Sequence, residues 1–138
     1  MKVAISSTGK GLESQVDARF GRCPYFVIVE IENKKIKSEK TIKNVAVTQF
    51  GGAGITAAQV VANEKVNALI TVNIGPRALG VFQQLDIEIY KGSGKVKDVV
   101  QQFIDGKLKK ITASTGPMFM GAGRVAGADA GRGRRRRT

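Results

Sequence analysis

The sequence predicts one α/β domain: a mixed sheet of about five strands with helices on its faces, followed by a basic tail. Three observations predict it. Short β-branched runs, Val3-Ala4-Ile5, Phe26-Val27-Ile28-Val29 and Ala68-Leu69-Ile70, are uninterrupted by charge, as in strands covered on both faces. From Gly51 onward such runs alternate with stretches whose apolar residues recur at helical spacing. Glycine or proline stands at most of the joins.

Lys2 to Ser7 is the first strand, and Ser7-Thr8-Gly9-Lys10-Gly11 a loop. Tyr25 to Ile31, rich in aromatic and β-branched residues, is the second strand. Asn33-Lys34 reads as a tight turn into a lysine-rich third strand, Lys35 to Ile42; lysines suit an edge that resists pairing with other chains. Gly51-Gly52-Ala53-Gly54 is a loop, then a helix runs from Ile55 to Lys65 with Ile55, Ala58, Val61 and Ala62 on one face. Ala68 to Val72 is a buried strand. Asn73-Ile74-Gly75-Pro76 opens a second helix, with Pro76 at its first position and Leu79, Phe82 and Leu85 inward. Ile87 to Tyr90 is a short strand. Gly92-Ser93-Gly94 opens a third helix, in which Val96, Val99, Val100, Phe103 and Ile104 share a face until Gly106 stops it. The βαβ order of the second half implies parallel strands with right-handed crossovers.

The domain is expected over residues 1–112. Beyond it, residues 113–138 are rich in Gly, Ala and Arg and close on GRGRRRR, a composition that buries no core and is expected to be disordered. The 138 residues carry a formal net charge of +12, with positive charge in both the body and the tail. Such a field concentrates anions near the surface. The single cysteine, Cys23, precludes an internal disulfide and fits a reducing cytoplasm. No apolar run approaches the roughly 20 residues of a membrane span.

Several chemistries are excluded by what is absent. The chain has no histidine, so the commonest general base and the commonest metal ligand are missing together. Gly52-Ala53-Gly54-Ile55-Thr56-Ala57 matches the dinucleotide pattern, but a polar stretch precedes it and no carboxylate follows at the ribose-binding distance. Gly94-Lys95 lacks the earlier glycine of a Walker loop. Two-metal nuclease chemistry needs carboxylates converging on strand ends, and the central strands carry none; Asp17, Glu30 and Glu32 do not group. No enzymatic activity is expected.

The loops carry the stronger signal. Ser7 to Lys10, Gly51 to Gly54, Asn73 to Pro76 and Gly92 to Gly94 are expected at one end of the sheet, where open α/β sheets bind ligands. Three of them lead into helix N-termini, whose free N–H groups favour anions. Arg19, Arg22 and Arg77 add charge and forked donors. The neighbouring cations would lower the pKa of Cys23, making it one soft ligand, with Met118 and Met120 as thioether contributors; the alternative is a small apolar residue at a strand entry. In the tail, Arg132, Arg134, Arg135, Arg136 and Arg137 suit sequence-independent contacts to nucleic-acid phosphates, or docking on an acidic partner.

These segments together resemble a known family. Ala18-Arg19-Phe20-Gly21-Arg22-Cys23-Pro24-Tyr25-Phe26 is similar to the F-G-R-x-x-Y-F segment of the dinitrogenase iron-molybdenum cofactor biosynthesis family, which includes NifX-like proteins and the C-terminal domain of NifB-like proteins. Gly51-Gly52-Ala53-Gly54 resembles its loop before the first helix, and Asn73-Ile74-Gly75-Pro76-Arg77-Ala78 its G-x-x-A turn. Met1 to Thr112 is covered, closest to small stand-alone members. The resemblance implies a ribonuclease H-like fold with strand order 3-2-1-4-5, strand 2 antiparallel. It also implies carriage of a molybdenum-iron-sulfur cluster or its precursor. The cofactor-binding set is then Ser7, Thr8, Gly9, Arg19, Gly21, Arg22, Cys23, Gly51, Gly52, Asn73, Gly75 and Arg77, with Cys23 as metal ligand. Where many members carry histidine before the Phe-Gly, this chain has Arg19, a cation that attracts charge and does not ligate. A monomer that binds the cluster or a cluster-assembly protein is expected.

Overall fold

A computed structural model describes residues 1–48 and 53–112. The strands are β1 (Lys2–Ser7), β2 (Tyr25–Glu32), β3 (Lys35–Lys43), β4 (Ala68–Thr71), β5 (Glu88–Lys91) and β6 (Lys109–Lys110). The helices are α1 (Ala53–Asn63), α2 (Pro76–Gln84) and α3 (Val96–Ile104), with short 3₁₀ turns at Phe20–Arg22 and Val45–Thr48. The sheet order is β3-β2-β1-β4-β5-β6. β1 pairs antiparallel with β2 and parallel with β4; β4 pairs parallel with β5.

The expected order of the first five strands is present, but the sheet has six strands, not five. Gly106, at φ 73°, reverses the chain after α3, and Lys109–Lys110 then pairs antiparallel with Tyr90 and Lys91. Two lysines in succession carry no hydrophobic alternation, so sequence periodicity does not reveal this strand. The residues of the expected tail, 113–138, lie outside the described residues, as do Gly51 and Gly52.

Alternation along the strands divides the core into two layers. Ala4, Phe26, Ile28, Leu69 and Ile89 face α1 and α2. Val3, Ile5, Val27, Val29, Ala68 and Ile70 face α3. β1 is buried along nearly its whole length, which explains its unbroken apolar run. α1 begins at Ala53 rather than Ile55 and buries Ala53, Ala57, Ala58 and Val61; Ile55 is only half-buried. Its small residues let α2 approach, so a Cβ on Gly54 would sit 3.6 Å from Ala78 Cβ. Leu85, expected inward, caps α2 from outside its last turn and is 52% exposed.

The hairpin joining β2 and β3 turns on Asn33 and Lys34, both left-handed at φ 53° and 63°, the geometry of a two-residue type I′ turn. The register then slips. Glu30 faces Ser38 and Ile31 faces Ile36, leaving Lys37 without an opposite residue: a β-bulge on the outer strand.

Candidate functional site

The strand directions gather three strand ends at one edge of the sheet. β1, β4 and β5 run parallel, so Ser7, Thr71 and Lys91 end at the same edge; Tyr25 begins β2 opposite Ser7, and Lys43 ends β3 opposite Tyr25. The N-termini of all three helices follow at this edge, as the loop positions predict. Their availability differs. The α3 N-terminus is closed by the chain itself, because the Val96 and Lys97 amides donate to the carbonyls of Ser14 and Leu12 at 2.8 and 3.0 Å. Glu13 adds contacts to Lys95 and Lys97; the hydrogen bond from Lys95, then the two lysine charges, hold its carboxyl below the usual range. α2 starts on Gly75 and Pro76, with no side-chain cap, and Leu79 donates to the Gly75 carbonyl at 3.1 Å. The positive end of the α2 dipole is therefore turned to the strand-end face at Arg77, whose side chain is exposed.

Arg19 is brought beside this helix start. Its backbone forms a parallel bridge with Asn73. Beneath it lies Asp17, a buried carboxylate that accepts three hydrogen bonds from one residue. The Arg19 amide donates to Oδ1 at 2.9 Å, Nε donates to Oδ1 at 3.1 Å, and Nη2 donates to Oδ2 at 3.1 Å. The Asp17 side chain is 4% exposed and that of Arg19 68% exposed, so the pair points one charge inward and the other out. These contacts raise the Arg19 pKa above its already high value.

The segment after Arg19 is anchored from below. The Phe20 ring packs between Phe26 and Phe82, with centroids 5.5 Å from each. Gly21 lies against the first turn of α1, where an added Cβ would stand 3.1 Å from Gly54 N and 3.2 Å from Gly54 Cα. Arg22 is exposed, and its amide donates to the Arg19 carbonyl at 3.1 Å. Arg19, Gly21, Asn73, Gly75 and Arg77 thus share one region of the strand-end face.

Other expected site residues are placed differently. Ser7 is buried; its hydroxyl lies 2.7 Å from the Gly9 carbonyl and 2.6 Å from Ser14 Oγ. The Gly9 amide donates back to it at 3.2 Å, and the Thr8 amide donates to the Gln15 carbonyl at 2.9 Å. These groups hold the loop against its own return and offer little to a ligand.

Cys23 requires a correction. Its adjacent arginines do not make it a reactive thiolate. The residue is 0% exposed and its thiol donates to the Phe20 carbonyl at 3.1 Å. Burial, aided by the nearby Asp17 charge, pushes its pKa up to about 12, against a smaller lowering by hydrogen bonds from the Ser7 amide and Asn44. The strand-entry reading of Cys23 describes this environment; a soft ligand facing the surface does not.

Sequence reasoning missed Asp17, which counts as an ungrouped carboxylate along the chain. Its signal is the i, i+2 spacing to Arg19, since extended backbone puts alternate residues on one side. It also missed Asn44, whose Nδ2 donates to the Cys23 carbonyl at 2.8 Å and the Gly21 carbonyl at 3.3 Å, while its Oδ1 accepts from the Ala46 amide. A third omission is the buried contact of Ser6 Oγ with Thr71 Oγ1, 2.9 Å, and with the Asp17 carbonyl, 2.8 Å.

Among the described residues no group of His, Cys, Asp or Glu is placed to hold a metal ion, and no helix is long and apolar enough to cross a membrane. The geometry defines an α/β domain whose strand-end face carries the exposed side chains of Arg19 and Arg77 near the start of α2. The chain belongs to the dinitrogenase iron-molybdenum cofactor family, whose model matches residues 1–106. An uncharacterised protein of Methanocaldococcus jannaschii is 44% identical over 112 residues, covering 80% of this chain and 92% of that one. The apo form of the orange protein from Desulfovibrio gigas is 31% identical at a TM-score of 0.78, covering 83% and 96% of the two chains. A candidate NifB protein from Thermotoga, known from its NMR structure, is 30% identical at a TM-score of 0.71, covering 83% and 96%.

Proposed function

We propose that this chain is a non-enzymatic cytosolic carrier for an anionic metal-sulfur cluster or its precursor, of the iron-molybdenum-cofactor kind, on a ribonuclease H-like topology. The observation that carries the reading is the bridge between Arg19 and Asn73, which sets an exposed guanidinium beside Arg77 and the start of α2, where Gly75 gives no side-chain cap. Membership of the dinitrogenase iron-molybdenum cofactor family supports that class of cargo. The donors present suit the periphery of an anionic cluster, whose sulfur and oxo atoms accept hydrogen bonds. They do not suit direct ligation, because Cys23 is sealed in the core and no histidine exists. Holding the cluster by its periphery also leaves its metals free for transfer. The bulged, lysine-rich outer strand favours a monomer.

The test is an anaerobic titration of the full chain with tetrathiomolybdate, followed by optical spectra and backbone amide shifts. Shifts grouped at residues 19–23 and 73–78 are expected. Uptake without shifts there, or no uptake, refutes the reading.

A second, independent reading rests on the arginines of residues 132–137. If they engage nucleic acid, deleting residues 132–138 abolishes binding to a single-stranded oligonucleotide and flattens its salt dependence. Unchanged binding refutes it.

A further inference from the structure

We infer that Asp17 is a positioning residue, which converts Arg19 from a mobile surface cation into an oriented hydrogen-bond donor and so selects ligands by the placement of their acceptor atoms. The inference rests on the anion-carrier reading and names the chemistry of its recognition. A guanidinium carries five N–H donors in a fixed fork. Asp17 occupies two of them, on Nε and Nη2. The remaining three, two on Nη1 and one on Nη2, have no partner among the described residues and lie on an exposed side chain. The backbone bond from the Arg19 amide to the same carboxylate fixes the main chain as well, so fork and backbone share one anchor. That anchor is itself immobile: Asp17 is 3% exposed, its carbonyl accepts from Ser6 Oγ, and its amide donates to the Ser6 carbonyl.

Electrostatics sharpen the argument. Arg19 and Asp17 together are neutral, so this arginine adds little to the field felt at a distance. Long-range attraction comes from cations with no ion pair among the described residues, such as Arg77, and from the α2 dipole. The contribution of Arg19 is short-range and directional. It suits an anion with several acceptor atoms on one face, a thiometallate or the sulfido and oxo rim of a cluster. A monovalent ion with diffuse charge gains nothing from such a donor.

Two measurements test this. The first needs no ligand: side-chain 1H–15N spectra of arginine in the full chain. The Arg19 Nε–H is expected as a resolved, slowly exchanging signal that is lost in Asp17→Asn. An averaged signal in the unsubstituted protein overturns the inference, whatever binds. The second is tetrathiomolybdate affinity at low and high salt. Arg19→Lys keeps the charge and loses the fork, and should weaken binding by about tenfold or more, the scale of a lost charge-assisted hydrogen bond. Asp17→Asn should weaken it comparably while steepening its salt dependence, because Arg19 then becomes an unneutralised charge. A lysine variant that binds within twofold of the parent overturns the inference. An Asp17→Asn protein with unchanged affinity and salt slope does the same. If the parent protein takes up no thiomolybdate, the carrier reading fails and the arginine spectra alone decide the positioning.

Discussion

Replacing Gly21 by alanine should destabilise the protein, whereas the same replacement at Gly80 should stabilise it. Neither glycine has a positive φ, so backbone strain does not enter. At Gly21 the new Cβ stands 3.1 Å from Gly54 N, 3.2 Å from Gly54 Cα and 3.4 Å from Ala53 C. All three are backbone atoms in the first turn of α1, and a helix end cannot swing aside as a side chain can. Relief requires a shift of a few tenths of an ångström in either α1 or the turn held by Phe20. Overpacking of this kind costs about 1–3 kcal/mol, and the stiffer unfolded chain returns about 0.4–1 kcal/mol. At the middle of both ranges the net loss is about 1.3 kcal/mol. At Gly80, inside α2, a Cβ meets nothing within 4 Å, and the gain from helix propensity is about 0.5–1 kcal/mol. Urea unfolding of both variants beside the parent reads the difference directly. A Gly21→Ala protein as stable as the parent, or two variants that shift in the same direction, would refute the close approach on which this reasoning stands.

Two further outcomes are expected. Phe20→Ala removes the ring between Phe26 and Phe82 and should cost about 3–5 kcal/mol in urea unfolding, with early loss of amide protection over residues 19–23. A loss below about 1 kcal/mol would show that the segment does not rest on that ring. The second outcome concerns alkaline pH. The Cys23 pKa is raised from an ordinary 9.0 to about 12, so the folded state holds this proton more tightly than the unfolded state does. The stabilisation is complete below the unfolded pKa and is lost as pH rises toward the folded one, by up to about 1.4 kcal/mol per pH unit. Cys23→Ala should remove that slope. Equal pH dependence of parent and variant above pH 9 would mean that the thiol is not shielded as its burial indicates.

The elements that sequence reveals best are those with a strong local pattern. Val3-Ala4-Ile5 and the valine-rich face of α3 report burial through composition alone, and Asn33-Lys34 and Gly106 mark their turns. Patterns fail where a contact is made by residues distant in sequence. The pairing of Lys109–Lys110 with β5 depends on where α3 delivers the chain. The closure of the α3 N-terminus depends on Leu12 and Ser14 returning to it, so a glycine-rich loop that reads as an open anion site is already filled by carbonyls. Cys23 illustrates the same limit for chemistry. Its sequence neighbours are cations, but burial and the nearby Asp17 charge move its pKa the opposite way, and the hydrogen bond from Asn44 offsets only part of that rise. The arginine segment was legible; the carboxylate that orients it was not, because one aspartate carries no pattern by itself.

The bulge at Lys37 has a consequence for how the protein behaves in a crowd. A regular outer strand is a template, since every second backbone group awaits a partner spaced at the sheet repeat. Lys37 breaks that spacing in the first half of β3, and Lys35 and Lys43 add like charge against any second copy in register. An approaching copy would lose its hydrogen-bond match within a few residues and meet repulsion at once. Association of copies edge to edge is therefore disfavoured by both the spacing and the charge of this strand.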